Sequence, residues 1–266
     1  MASFKELTHT RKLKLGTYIG EFATPGIGQI LKSASCEYAF VDMEHSGFGF
    51  ETVKAVLRTL HDAGIASLVR PPSKEYHHLA RACDVGAQGI IPPMLGTPRE
   101  AKACLDAINY VPDGNRGCAL NIAHDDYHPA AVLDALAAAN RKTSLTPLIE
   151  TAEGIENCDE IAAMDGVDCL WIGHFDLSAS LGIPGEFENP RFTEAVDAVL
   201  AAGAKHNKSV GRLVGSPEEG VELFNQGFDF ICYLGDMWLL QRALTEGFSA
   251  IKASVKDGAL AGGGNS

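Results

Sequence analysis

What this 266-residue chain lacks narrows the field before any motif is read. No Lys/Arg cluster stands out, and the formal charge is −12. Nucleic acid is therefore not an expected partner, because its phosphates must be neutralised by cationic side chains. No apolar run approaches the ~20 residues that span a bilayer, so no membrane partner is expected either. The opening MASFKELTHTRKLKLG has no apolar core of the kind a secretory signal carries. The seven cysteines form no C-x-x-C pair, and most fall in apolar patterns. They read as reduced core thiols, which points to the cytoplasm. No G-x-G-x-x-G follows the first strand-like run, which argues against a dinucleotide-binding sheet.

What is present is a large apolar fraction, 46%, enough to bury a substantial core. Eight short β-rich runs, 14–20, 38–43, 66–70, 87–92, 145–150, 168–173, 209–214 and 229–234, alternate with segments of helical period. In those segments apolar residues recur at the spacing of one buried helix face: Ile27/Ile30/Leu31/Ala34, Val53/Val56/Leu57/Leu60, Ala101/Cys104/Leu105/Ile108 and Phe192/Ala195/Val196/Val199. Thr97-Pro98-x-Glu100 and Ser216-Pro217-x-Glu219 read as capping boxes that start helices soon after strands. Eight strand–helix units in one chain predict an α/β fold, a single-domain (β/α)8 TIM barrel over residues 1–258. An open doubly wound sheet is the alternative. Residues 259–266, rich in glycine, read as a disordered tail. About 50 residues separate the fourth run from the fifth. That long connection, which includes YVPDGNRGCALNIAHDDYHP, is expected to roof the active site or build a subunit contact.

In such a barrel the chemistry lies at the carboxyl ends of the strands. Asp42, Glu44 and His45 close the second run, Arg70 the third and Glu150 the fifth, and Asp176 lies three residues past the sixth. Any one of these could be an ordinary capping group; together they would crowd one small rim. Glu150 and Asp176 suit a hard divalent cation, Mg²⁺, Mn²⁺ or Co²⁺, with coordination positions left for substrate. The competing reading pairs Glu150 with Arg70 and makes Asp176 a turn cap. His45 is the candidate general base, since imidazole titrates near neutrality. Arg70 offers a charged fork for a carboxylate or an enolate oxygen. No lysine closes a strand, so a Schiff-base route is disfavoured. Lys74, at a polar helix start, is expected to be solvated.

At these residues the chain resembles the HpcH/HpaI aldolase family, pyruvate-dependent class II aldolases of 4-hydroxy-2-oxo acids. The resemblance rests on VDMEHSGFGFE (41–51), LVRPP (68–72), DVGAQGIIPPM (84–94), YVPDGNRG (110–117), IETAEGIEN (149–157) and DGVDCLWIGHFDLSASLGIPG (165–185). It implies an enzyme, a carbon–carbon lyase that uses a divalent metal and a pyruvate enolate and yields pyruvate and an aldehyde. It assigns the base to His45, enolate stabilisation to Arg70, and the metal to Glu150 and Asp176. It gives the Phe175 backbone amide the substrate carboxylate, and Asp84 the task of raising the base's pKa. It also implies a homo-oligomer, a hexamer. The topology above puts Asp84 before the fourth strand, on the opposite rim, from which it would reach a histidine only from a neighbouring subunit or through a bent path.

Two positions depart from the family pattern. Leu148 stands where a Gln is common, and His174-Phe175 precede Asp176 where Pro and one further residue are common. His174 reads either as a contact to the site or as a packed imidazole. His124 and His128 share helical spacing but fall in a loop, and a second metal there is not expected. Three rival readings are an oxaloacetate decarboxylase or enolate-trapping synthase, a CoA-ester lyase, and a non-catalytic acid-binding barrel. The CoA reading is weakened by the absence of an extra basic C-terminal region.

Overall fold

A computed structural model describes residues 2–255. The glycine-rich end 259–266, and residues 256–258 of the expected domain, lie outside the described residues. The strands are β1 (Lys14–Ile19), β2 (Tyr38–Asp42), β3 (Ala66–Arg70), β4 (Gly89–Ile90), β5 (Ser144–Leu145), β6 (Leu148–Ile149), β7 (Cys169–Ile172), β8 (Ser209–Val214) and β9 (Phe230–Gly235). The helices are α1 (Phe4–Leu7), α2 (Ile27–Ser33), α3 (Phe50–Ala63), α4 (Tyr76–Asp84), α5 (Pro98–Ile108), α6 (Val132–Lys142), α7 (Ala152–Glu156), α8 (Cys158–Ala162), α9 (His174–Ser180), α10 (Pro190–Lys205), α11 (Pro217–Gln226) and α12 (Asp236–Ser254). A 3-10 turn spans Ala123–Asp125.

All strand pairs are parallel, and the strands form one curled sheet in the order β5-β4-β3-β2-β1-β9-β8-β7-β6. Parallel neighbours need a crossover on one face, and the helices supply it. The two end strands, β5 and β6, are successive in the chain. The expected single fifth strand is broken at Thr146-Pro147, where proline has no N–H to give the ladder. The hydrogen-bonded ladder is therefore not a continuous ring, although Asp168 N–H donates to Leu145 O at 3.1 Å and Trp171 N–H to Pro147 O at 2.9 Å.

Two apolar layers follow from the alternation of side chains. Inside the sheet pack Tyr18, Tyr38, Phe40, Leu68, Leu148, Trp171 and Phe230. The larger outer layer joins sheet to helices; in it α3 buries Val53, Val56, Leu57 and Leu60, and α10 buries Phe192, Ala195, Val196 and Val199. Each of these Val, Leu and Phe side chains contributes roughly 1.5–3 kcal/mol on full burial. Gly211 is required inside, because a Cβ there would sit 2.4 Å from the Trp171 ring.

The helix starts divide. Thr97 and Glu100 form the complete capping box expected of them. At α11 Ser216 caps the Glu219 amide, but Glu219 reaches one residue further back, to Gly215 N–H at 2.7 Å, so the box is half formed. The buried stripe expected of α2 is also incomplete. Ile27 is buried, Ile30 is 59% exposed, and Leu31 and Ala34 line an open apolar groove beside α11. The long connection was expected to roof the site or build a subunit contact; within the chain its contacts run along the outside of α3 and α4, away from a roof. Asp126 pairs with Arg58 (2.9 Å) and His61 (3.4 Å), and Gly117 N–H donates to Tyr76 Oη (2.7 Å). All seven cysteines are free. Among the described residues no helix is long and apolar enough to cross a membrane.

Candidate active site

Strand register assembles the first half of the site. Asp42 and Arg70 are paired positions at the ends of β2 and β3. Asp42 is fully buried and accepts four hydrogen bonds: from Arg70 Nε (2.6 Å), Tyr18 Oη (2.7 Å), and the amides of His45 (2.9 Å) and Glu44 (3.1 Å). Burial opposes its charge, but the Arg70 guanidinium outweighs burial and holds the carboxyl below its ordinary value. The same pairing keeps Arg70 charged despite its own burial. Arg70 Nη1 also reaches Glu44 Oε2 at 3.1 Å, and its guanidinium lies over the Phe40 ring. The Arg70–Glu150 salt bridge of the competing reading is absent among the described residues; Arg70 is taken by Asp42 and Glu44 instead.

His45 stands outside this knot. Its side chain is 64% exposed, with Nε2 3.7 Å from Glu44 Oε2. Glu44 is pushed above its usual pKa by burial, with Asp42 and Asp176 adding to the rise against the pull of Arg70 and His45.

The second half comes from β6 and α9. Ile149 and Ile172 are register partners, which brings Glu150 beside Gly173. A Cβ on Gly173 would lie 2.3 Å from Glu150 Oε2, so glycine there makes room for the carboxylate. Glu150 is buried and accepts one hydrogen bond, from Met94 N–H at 2.7 Å. Burial pushes its pKa to about 7; the Met94 bond pulls down, while the charges of Asp176 and Glu44 push up. Asp176 lies in the first turn of α9. Three carboxylates thus feel one another beside Arg70, short of cations and of donors. The Phe175 amide also belongs to that first turn, whose N–H groups have no partner within the helix.

Asp84 is not brought to His45 within the chain. It ends α4, where the Arg116 side chain holds its Oδ1 through Nε (3.1 Å) and Nη2 (2.5 Å). A cavity of about 910 Å³ flanks this opposite rim and is lined partly by Arg116, Lys54 and Gln88. His174 packs between the rings of Phe175 and Phe187, and burial and then Arg212 push its pKa down to about 4. Leu148 lies in the apolar interior with Phe40 and Trp171. His124 Nε2 is engaged by Ala119 O (2.8 Å) and Tyr110 Oη (3.1 Å). Among the described residues no group of three or more His, Cys, Asp or Glu could by itself hold a metal ion. Tyr18 and the Met94 amide escape sequence reasoning: one acts across strands, the other through its backbone.

A rim of acids around one arginine, on the carboxyl ends of a parallel sheet, defines a candidate enzyme for small oxo acids. The chain belongs to the HpcH/HpaI aldolase/citrate lyase family, which it matches over residues 22–236. It is 32% identical to a hydroxypyruvate/pyruvate aldolase of Deinococcus radiodurans, over 96% of this chain and 90% of that protein. It is 34% identical to a 4-hydroxy-4-methyl-2-oxoglutarate aldolase of Hapsidospora irregularis, over 70% of each. The crystal structure of an HpcH/HpaI aldolase from Desulfitobacterium hafniense superposes with a TM-score of 0.90 at 25% identity, covering 98% of this chain and 100% of that one.

Proposed function

We propose that this chain is a divalent-metal-dependent aldolase that makes and breaks the C3–C4 bond of 4-hydroxy-2-oxo acids by way of the pyruvate enolate. The observation that carries this reading is the donor-poor pair Glu150 and Asp176, whose charges oppose each other next to Arg70. The residues fit a hard cation: both ligands offer carboxylate oxygen, and Glu150, held to about pH 7 as an acid, gains most from a positive neighbour. Mg²⁺, Mn²⁺ or Co²⁺ bound there would supply Lewis acidity for the 2-oxo group.

The chain's own groups then divide the work. The Phe175 amide holds the substrate 1-carboxylate. His45, exposed at the mouth, takes the proton from the 4-hydroxyl as C3–C4 breaks and the aldehyde leaves. Arg70, charged and fixed by Asp42, stabilises the oxygen of the enolate. Protonation at C3 gives pyruvate. A role for Asp84 at this site is proposed only in trans, from a second copy.

The same proposal includes a barrel over residues 1–258 in which β5 and β6 act as one interrupted strand, supported by the Leu145–Val167 bridge. It includes a cytoplasmic homo-oligomer. The free cysteines support the compartment. Oligomerisation is supported by α12, whose Leu240, Leu244, Phe248 and Ile251 form one exposed stripe, and by the open groove of about 480 Å³ beside α2 and α11.

The test is hydrogen–deuterium exchange at pyruvate C3, followed by NMR with and without chelator. Exchange that needs the added cation and is lost in Glu150→Ala and Asp176→Ala is expected. Exchange that survives either change overturns the metal assignment. Pyruvate release from oxaloacetate, without turnover of any aldehyde in a panel, would reassign the enolate to decarboxylation.

A further inference from the structure

We infer that Lys74 is a positioning residue for the carboxylate of Glu150, acting through the turn Pro92–Gly96; this rests on the metal-binding reading of Glu150. Met94, in the middle of that turn, has φ +54, the left-handed region that a long side chain rarely adopts. Such a conformation persists only where its surroundings hold it. Here the holding is done from both ends of the residue. The Met94 carbonyl accepts from Lys74 Nζ at 2.7 Å, and its N–H donates to Glu150 Oε1 at 2.7 Å. Lys74 is anchored in turn by Glu100 Oε1 at 2.5 Å, while Glu100 Oε2 takes the amides of Gly96 (2.9 Å) and Thr97 (3.2 Å). Asn157 Nδ2 closes the turn on Gly96 O at 2.9 Å.

The consequence is geometric. Met94 N–H is the one hydrogen-bond donor on the Glu150 carboxylate among the described residues, so the turn sets the direction of the one hydrogen bond that orients it. With Oε1 committed to Met94 and Oε2 lodged against Gly173, the carboxylate presents a fixed face to the cavity. Lys74 touches neither substrate nor reacting atoms. Its ammonium holds the carbonyl of the strained residue and so the direction of that residue's N–H. Partners of this kind, one step behind a metal ligand, usually change metal affinity when removed.

The experiment uses the full-length protein with Mn²⁺ alone as the probe, titrated by electron paramagnetic resonance of the free ion. Lys74→Met is expected to weaken Mn²⁺ binding roughly 10–100-fold, and Lys74→Arg to recover most of the loss. Glu100→Gln keeps the capping acceptor but loosens the lysine, and should fall between them. Thermal melting of the cation-free proteins separates a fold effect from a site effect. A Lys74→Met protein that melts lower but binds Mn²⁺ within about twofold of the parent overturns the inference. Should that variant fail to fold, unchanged Mn²⁺ affinity in Glu100→Gln overturns it equally. Glu150→Ala is the reference: if it binds Mn²⁺ as the parent does, the metal reading itself has failed, a different result from failure of Lys74 alone.

Discussion

At the amino ends of the strands the buried Asp229 carboxylate accepts from Lys14 Nζ (2.8 Å), Ser209 Oγ (2.9 Å), Val210 N–H (2.9 Å) and Arg11 Nη1 (3.3 Å). At the carboxyl ends the equally buried Glu150 accepts one bond, from Met94, and faces two other acids. Both carboxylates are buried, yet Asp229 is surrounded by donors and cations while Glu150 has a single donor. A buried charge whose partners are complete serves the fold. One left short costs stability until a ligand arrives, and that is the signature of a working site.

Four changes would break or sharpen this contrast. Lys14→Met should remove about 3–5 kcal/mol of unfolding free energy in denaturant titrations, because the buried Asp229 carboxylate loses its closest cation. A loss near zero would mean that the amino rim is not the structural one. Arg70→Ala should cost roughly 10²–10³ in kcat, about 3 kcal/mol, in the pyruvate exchange assay. Retained turnover would move the enolate-stabilising role elsewhere.

The third change is in pH. The Glu150 carboxyl ionises near 4.5 when unfolded and near 7 in the native chain. Between those values the native state holds the extra proton, so the cation-free protein should lose stability as pH rises through this window. Melting temperatures taken from pH 4.5 to 7 should fall more steeply for the parent than for Glu150→Gln. Equal slopes would deny the shift. The smallest effect is expected of His174→Phe. A near-isosteric replacement in its aromatic pocket should change stability by less than about 1.5 kcal/mol and leave kcat alone. A large kcat loss would bring His174 into the chemistry.

How far the chain can be read before folding differs from element to element. β2 and β7 are fully buried strands made almost wholly of apolar residues, and α3, α5 and α10 carry full apolar stripes, so their place was plain. β5 and β6 were not seen as two pieces, although Pro147 marks the break. The stripe of α2 misled for a physical reason: Ile30 has the right period, but among the described residues no neighbouring helix covers it. Among site residues, Asp42, Glu44, His45, Arg70, Glu150 and Asp176 could be picked out because each is a polar residue at or just past the end of an apolar strand.

Local chemistry, then, set which residues form strands and helices and which acids and bases reach the carboxyl rim, since period and strand ends are properties of short stretches. Pairing across the fold set the rest. Whether Arg70 met Glu150 or Asp42 depended on register between β2 and β3. Whether Asp84 met a histidine or Arg116 depended on the path of a connection 32 residues further on. Which group would orient Glu150 had no mark in the sequence, because the group is a backbone N–H, identical in every residue but proline, and only folding aims it.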